Sequence, residues 1–137
     1  MKPHALNPIL NVTSFRASVD WFKKLGWEVA WQWGDPPHFG AVCAGRCEIF
    51  LCQGAQGGRG RGTNRQTFGA DGDETADKGC WMSIWVDDVD AIYQHCLDQG
   101  LDVTWPPANQ PWNVREMHVR HPDGHVFRIS KGLEPSS

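Results

Sequence analysis

Within Val114 to Ser130 (VREMHVRHPDGHVFRIS) stand Glu116, His118, His121, His125 and Arg128. Glutamate and histidine can move protons or ligate a divalent metal, and arginine can hold a carboxylate through two parallel N–H bonds. Glu116 and His118 are two residues apart, so an extended chain puts them on one face. His121 and His125 bracket Pro122-Asp123-Gly124 and read as solvated turn residues, which disfavours a metal site assembled from all four. No Ser-His-Asp or Cys-His set is legible, and Cys80, beside Trp81, reads as core rather than as a nucleophile.

These side chains need a hairpin to position them. Proline enters a turn with φ already set, Asp123 can bond its own backbone, and Gly124 can take a positive φ. Two runs rich in branched and aromatic residues flank the turn, which predicts two paired strands. In the second, Val126, Arg128 and Ser130 share one face, with Phe127 and Ile129 on the other. A mid-strand arginine between apolar neighbours is either solvated or aimed into a polar cavity.

The chain has 137 residues, the length of one ordinary domain, and a net charge of −3 that attracts neither nucleic acid nor anionic lipid. No apolar run approaches the ~20 residues of a membrane span, and MKPHALNPILNV lacks the apolar core of a secretory signal. Cys43, Cys47, Cys52, Cys80 and Cys96 are odd in number and mostly lie in apolar runs, as expected of reduced, buried thiols in a cytoplasmic protein. A Cys43/Cys47/Cys52 metal knuckle is disfavoured because no C-x₂-C pair exists. Tryptophan is heavily used, with 8 against a single tyrosine. Some must fill the core, and others suit a pocket for a flat ligand or a subunit contact.

Residues 7–12 read as a strand, and Ser14 caps a helix over about 15–25 that carries Phe15, Val19, Phe22 and Leu25 and stops at Gly26. Strands follow at Trp27–Trp33, His38–Ala44 and Cys47–Cys52. Residues 53–79 are Gly/Arg-rich, then acidic, and read as an exposed linker. Its Gly57–Gly62 run lacks GxxxxGK[ST] and so is not a phosphate loop, although Arg59 and Arg61 could attract an anion. Then the pattern recurs: a strand at Trp81–Val86, a helix capped by Asp87 or Asp88 with Val89, Ile92, Tyr93, Cys96 and Leu97 on its apolar side, and a stop at Gly100. Leu101–Trp105 is a strand, PPANQPWN a loop, and the opening hairpin closes the copy. Strand, helix and three strands are thus written twice, and LGWEV matches QGLDV in the two copies. Each copy should form a curved sheet with a helix on one face. The open faces of the two would enclose a cleft.

VTSFRASVDWFKKLGWEV and VREMHVRHPDGHVFRIS resemble the opening and closing signatures of the vicinal oxygen chelate superfamily, which includes glyoxalases, bleomycin-resistance proteins and extradiol dioxygenases. His121 and His125 depart from the usual DPDGN turn. The resemblance implies an α+β fold of two tandem βαβββ modules, a curved mixed sheet around a cleft. It also implies one domain over 1–137, with module 1 at about 5–52, the linker at 53–79 and module 2 at about 80–131. In the metal-dependent relatives, each module's first and last strands supply one ligand apiece. The matching positions here are Asn7, Glu48, Trp81 and Arg128. Only Glu48 is a good ligand, and an arginine about 5 Å from a divalent ion would repel it by several kcal/mol. The expectation is therefore no metal and no cofactor, with Glu48 as the natural partner of Arg128.

Alternation adds Asn11, Phe50, Ser83, Trp85, Glu116 and His118 to the cleft-facing set, and Trp31, Trp33, Trp105 and Trp112 could complete its walls. Flat walls with a few polar anchors suit a planar ligand. The resulting reading is a metal-free protein of the bleomycin-resistance type that binds an aromatic or antibiotic-like small molecule as a homodimer. The alternative is a glyoxalase-like lyase or isomerase, or a dioxygenase, using Glu48, Glu116 or His118 if it works without metal. A domain serving assembly alone would fill its cleft with its own tryptophans.

Overall fold

A computed structural model describes residues 1–55 and 79–134. Most of the linker reading, including Gly57–Gly62, Arg59 and Arg61, lies outside the described residues. Module 1 comprises β1 (Ile9–Val12), α1 (Phe15–Leu25), β2 (Glu28–Gly34), β3 (Pro37–Ala44) and β4 (Cys47–Gln53). Module 2 repeats the order with β5 (Trp81–Trp85), α2 (Val89–Asp98), β6 (Asp102–Gln110), β7 (Val114–Arg120) and β8 (Val126–Gly132). Each module is a separate four-stranded sheet, in the orders β1-β4-β3-β2 and β5-β8-β7-β6. The first strand of each pairs parallel to the last and the other pairs are antiparallel, which confirms two tandem βαβββ modules of an α+β fold.

The local signals act as the residue types require. The Ser14 side chain accepts from Ala17 N, and Gly26 leaves α1 at φ 104°. Asp88, rather than Asp87, caps α2 by accepting from Ala91 N. Gln53, expected in the linker, instead ends β4, and its Oε1 accepts from Phe15 N at 2.9 Å. The Pro-rich stretch expected as a loop continues β6 to Gln110, with irregular register around Trp105 and Ala108. β6 is an edge strand, so Pro106 and Pro107 can lack an N–H without breaking an interior ladder. Leu97, assigned to the apolar side of α2, is instead exposed. Of the five cysteines expected to be buried, Cys96 is, whereas Cys47 stands exposed in the first residue of β4 and Cys43, Cys52 and Cys80 are half-buried.

One core joins the modules. Leu10, Phe22, Val42 and Leu51 from the first share it with Met117, Val119, Phe127 and Ile129 from the second. Trp21 lies across the seam, stacked on Phe127 with ring centroids 5.6 Å apart and edge-on to Phe22 at 5.0 Å. The opposite faces of the two sheets are uncovered in the single chain, where Trp33 is 67%, Trp81 68% and Trp85 63% exposed.

The turn of the last hairpin forms a joint between the modules. His121 and His125, expected to be solvated, are 2% and 0% exposed. His121 Nδ1 accepts from Asp123 N at 3.0 Å, and its Nε2 lies 2.6 Å from Ser18 Oγ on α1. His125 Nδ1 accepts from Cys80 N at 2.9 Å and its Nε2 donates to Asn11 O at 2.9 Å, so one ring bridges both modules. The Asp123 carboxylate accepts from Thr13 N and Thr13 Oγ1 at 2.9 and 2.7 Å. Gly124 has φ 90°, and a Cβ at Gly79 would collide with the Gly124 carbonyl, so the segment entering β5 packs directly on the turn. His125→Phe would keep the ring but leave a buried N–H and a buried C=O without partners. It is expected to cost about 2–4 kcal/mol in urea unfolding, and a loss below about 0.5 kcal/mol would show that this bridge does not hold the modules.

Candidate functional site

The cavity-bearing face of module 2 follows from strand alternation. On β7, Met117 and Val119 enter the core, leaving Glu116 and His118 on the opposite face. On β8, Phe127 and Ile129 enter the core, which leaves Arg128 beside them: His118 pairs with Arg128 and Glu116 with Ser130 across the ladder. β5 adds Trp81, Ser83 and Trp85, with Ser83 opposite Arg128. The turn before β7 holds Asn113 at φ 65° and carries Trp112.

Glu116 is the hub of this face. Its carboxylate, in a residue only 2% exposed, receives Arg128 Nε at 2.7 Å and Arg128 Nη2 at 3.2 Å. Trp112 Nε1 donates to it at 2.8 Å, and His118 Nε2 lies 2.9 Å from Oε2. Burial alone would favour the protonated acid. The Arg128 hydrogen bonds outweigh it and, with those from His118 and Trp112, bring the carboxyl down to about 2. Arg128 Nη1 also donates to Ser83 Oγ at 3.1 Å. The guanidinium is thus tied to two strands besides its own.

Tryptophans wall this polar floor. Trp105 stacks on His118 with ring centroids 4.5 Å apart and planes 3° from parallel, and Trp81 meets the same imidazole edge-on at 5.8 Å. Trp81, Ser83, Glu116, His118 and Arg128, all picked from the sequence, line one cavity of about 430 Å³ together with Trp105 and Trp112. Trp85 shares the sheet face but does not line this cavity. The register irregularities of β6 bring Trp105 opposite His118, and alternation in the sequence carries no sign of them.

The remaining candidates lie on module 1. Asn7 precedes β1, is exposed, and donates from Nδ2 to the Glu48 backbone carbonyl at 3.2 Å. Asn11, 8% exposed, accepts from Ala55 N at 3.1 Å. Phe50 packs with Trp31 at 5.2 Å and Phe39 at 6.0 Å, an aromatic group on the open face of the first sheet. The expected pair between Glu48 and Arg128 is absent: Arg128 is bound to Glu116, two residues from its own cross-strand partner, which is a shorter reach than any on the other sheet. No hydrogen bond or ion pair reaches the Glu48 carboxylate from the described residues.

The four positions that hold a metal in some relatives of this architecture do not suit one. Asn7 lies just before the first sheet and Glu48 on it, while Trp81 and Arg128 lie on the second. Arg128 brings a fixed positive charge whose nearest carboxylate, Glu116, is already occupied by three donor side chains. No group of three His, Cys, Asp or Glu among the described residues could hold an ion.

The glyoxalase/bleomycin resistance protein/dioxygenase superfamily model matches residues 3–129. No curated protein matches the chain in sequence. Among solved structures, TioX from Micromonospora sp. ML1 superposes with a TM-score of 0.68 at 18% identity, over 97% of this chain and 99% of that one. A glyoxalase/bleomycin resistance protein/dioxygenase from Nocardioides gives 0.70 at 21% identity, over 100% and 88%. A bleomycin-binding protein complexed with bleomycin gives 0.66 at 13%, over 95% and 99%. At such identities the likeness concerns the fold. With both modules, their order and nearly the whole length accounted for, the chain belongs to the glyoxalase/bleomycin resistance protein/dioxygenase superfamily.

Proposed function

We propose that this protein is a metal-free, non-catalytic binder of flat aromatic or antibiotic-like small molecules. It works in the cytoplasm as a homodimer, with both modules acting as one domain. The observation that carries the reading is the floor of the module 2 cavity, where the Glu116 carboxylate is met by Arg128, His118 and Trp112 under walls of Trp81 and Trp105. A carboxylate already met by donor side chains does not demand a metal, and aromatic walls reward a planar guest with stacking and burial. Binding of bleomycin by a protein of the same fold supports the ligand class. The homodimer is supported by exposed aromatic faces on both sheets, which a second copy would cover. Asn7, Asn11, Glu48 and Phe50 would then supply the facing wall. The alternative, a lyase, isomerase or dioxygenase of this fold, draws support from the His118–Glu116 pair, an arrangement able to orient a proton acceptor.

Titration with bleomycin-type compounds is expected to quench tryptophan fluorescence saturably. Because Trp81 is 68% exposed, Trp81→Ala should weaken binding about tenfold with little change in unfolding midpoint. Absence of saturable quenching across an aromatic panel would sink the binding reading. Sedimentation should give a dimer, and a monomer at micromolar concentration would remove the second wall.

The floor should also reveal itself in acid. The Glu116 carboxyl is lowered from 4.5 to about 2, so its stabilising contribution is complete above about pH 4.5 and is lost as pH falls towards 2. The thermal midpoint of the wild type should drop across that window, and Glu116→Gln should flatten that part of the profile. Parallel profiles for the two proteins would contradict the assignment.

A further inference from the structure

His118 has an unused hydrogen-bonding atom. The Glu116 carboxylate stays ionised and can only accept, so the His118 Nε2 facing it must carry a proton. In the neutral ring this leaves Nδ1 with a bare lone pair. Nδ1 makes no hydrogen bond among the described residues. It is not sealed in either: the His118 side chain keeps 9% of its surface exposed.

The ring is also held firmly. The Glu116 bond fixes one edge, the parallel face of Trp105 fixes its plane, and Trp81 blocks rotation from the side. Trp81 and His118 line both the cavity of about 430 Å³ and a neighbouring one of about 240 Å³, so His118 borders two open spaces. Arg128, its cross-strand neighbour, uses three of its five guanidinium N–H groups on Glu116 and Ser83. The two N–H groups left over can donate to a ligand oxygen close to the imidazole.

We propose that His118 Nδ1 is the polar anchor of the site and that its ligands are flat aromatic molecules bearing a phenolic hydroxyl. This rests on the binding reading above and specifies its ligand class. The hydroxyl donates to Nδ1 while its ring lies against the tryptophan walls. An aromatic molecule of the same shape without the O–H leaves the lone pair unsatisfied once water is displaced, and so binds less well.

The test compares naphthol with its methyl ether, using the full chain and tryptophan quenching at up to millimolar probe. Naphthol is expected to bind the wild type about tenfold more tightly than the ether. His118→Phe keeps a flat ring but removes the acceptor; it should bring the two probes to near-equal affinity through loss of naphthol binding. Nitrogen NMR of the wild-type histidine ring supplies a readout independent of the variant's folding: the Nδ1 resonance should move with naphthol and stay put with the ether. Equal binding of the two probes to the wild type, a preference that survives His118→Phe, or an unmoved Nδ1 resonance would each overturn the proposal. If bleomycin-type compounds bind but naphthol gains nothing over its ether, the anchor is wrong and the binding reading stands. If no compound binds, both fall.

Discussion

The ring of His125 accepts a backbone N–H from one module and donates to a backbone carbonyl of the other, at 2.9 Å on each side and with no exposed surface. Around it, His121 reaches Ser18 on α1 and Asp123 grips both the N–H and the hydroxyl of Thr13. The turn that reverses β7 into β8 therefore also sets where β1 and α1 lie. In a low-dielectric setting such bonds are directional, and leaving any of them unmade is costly, so the joint has little freedom to slide. Phe127, just beyond the turn, is held under Trp21, and the two helices and both sheets share one core.

That constraint reaches the cavity through strand alternation. Once Phe127 and Ile129 are committed to the core, Arg128 has to emerge on the other face, beside Glu116 and His118. A carboxylate as deeply buried as Glu116 is unfavourable unless several donors meet it, and three side chains do. The pair it forms with Arg128 is poor grounds for claiming extra stability, since desolvation offsets much of the attraction. It does fix geometry: a bidentate guanidinium and a stacked imidazole turn a flexible sheet surface into a rigid polar floor.

Much of the architecture was legible from short signals that operate locally. Ser14, Asp88 and Gly26 each act through their own backbone neighbours, so their roles do not depend on the rest of the fold, and Gly124 turns the chain by the same local rule. The repeat was equally legible, because each copy has to present an apolar stripe to the same kind of partner. The Pro-rich stretch misled because proline is excluded only from interior strands, and edge position is not a local property. The histidines of the turn misled for a similar reason. Loops are usually solvated, and nothing near the turn in sequence indicates that α1 meets His121 or that Cys80 meets His125.

The sequence by itself determined the element order, the two-module repeat and which side chains share each strand face, since those follow from periodicity and capping along the chain. Alternation placed Ser83, Glu116 and His118 on one surface, and the family resemblance pointed to Trp81 and Arg128 beside them. Only the tertiary structure decided who pairs with whom. Glu116 rather than Glu48 took Arg128, because a carboxylate on the adjacent strand reaches the guanidinium within one sheet, while Glu48 lies on the other. Hydrogen bonds and ion pairs act over a few ångströms, and distances on that scale between residues far apart in sequence exist only once the sheets are formed and joined.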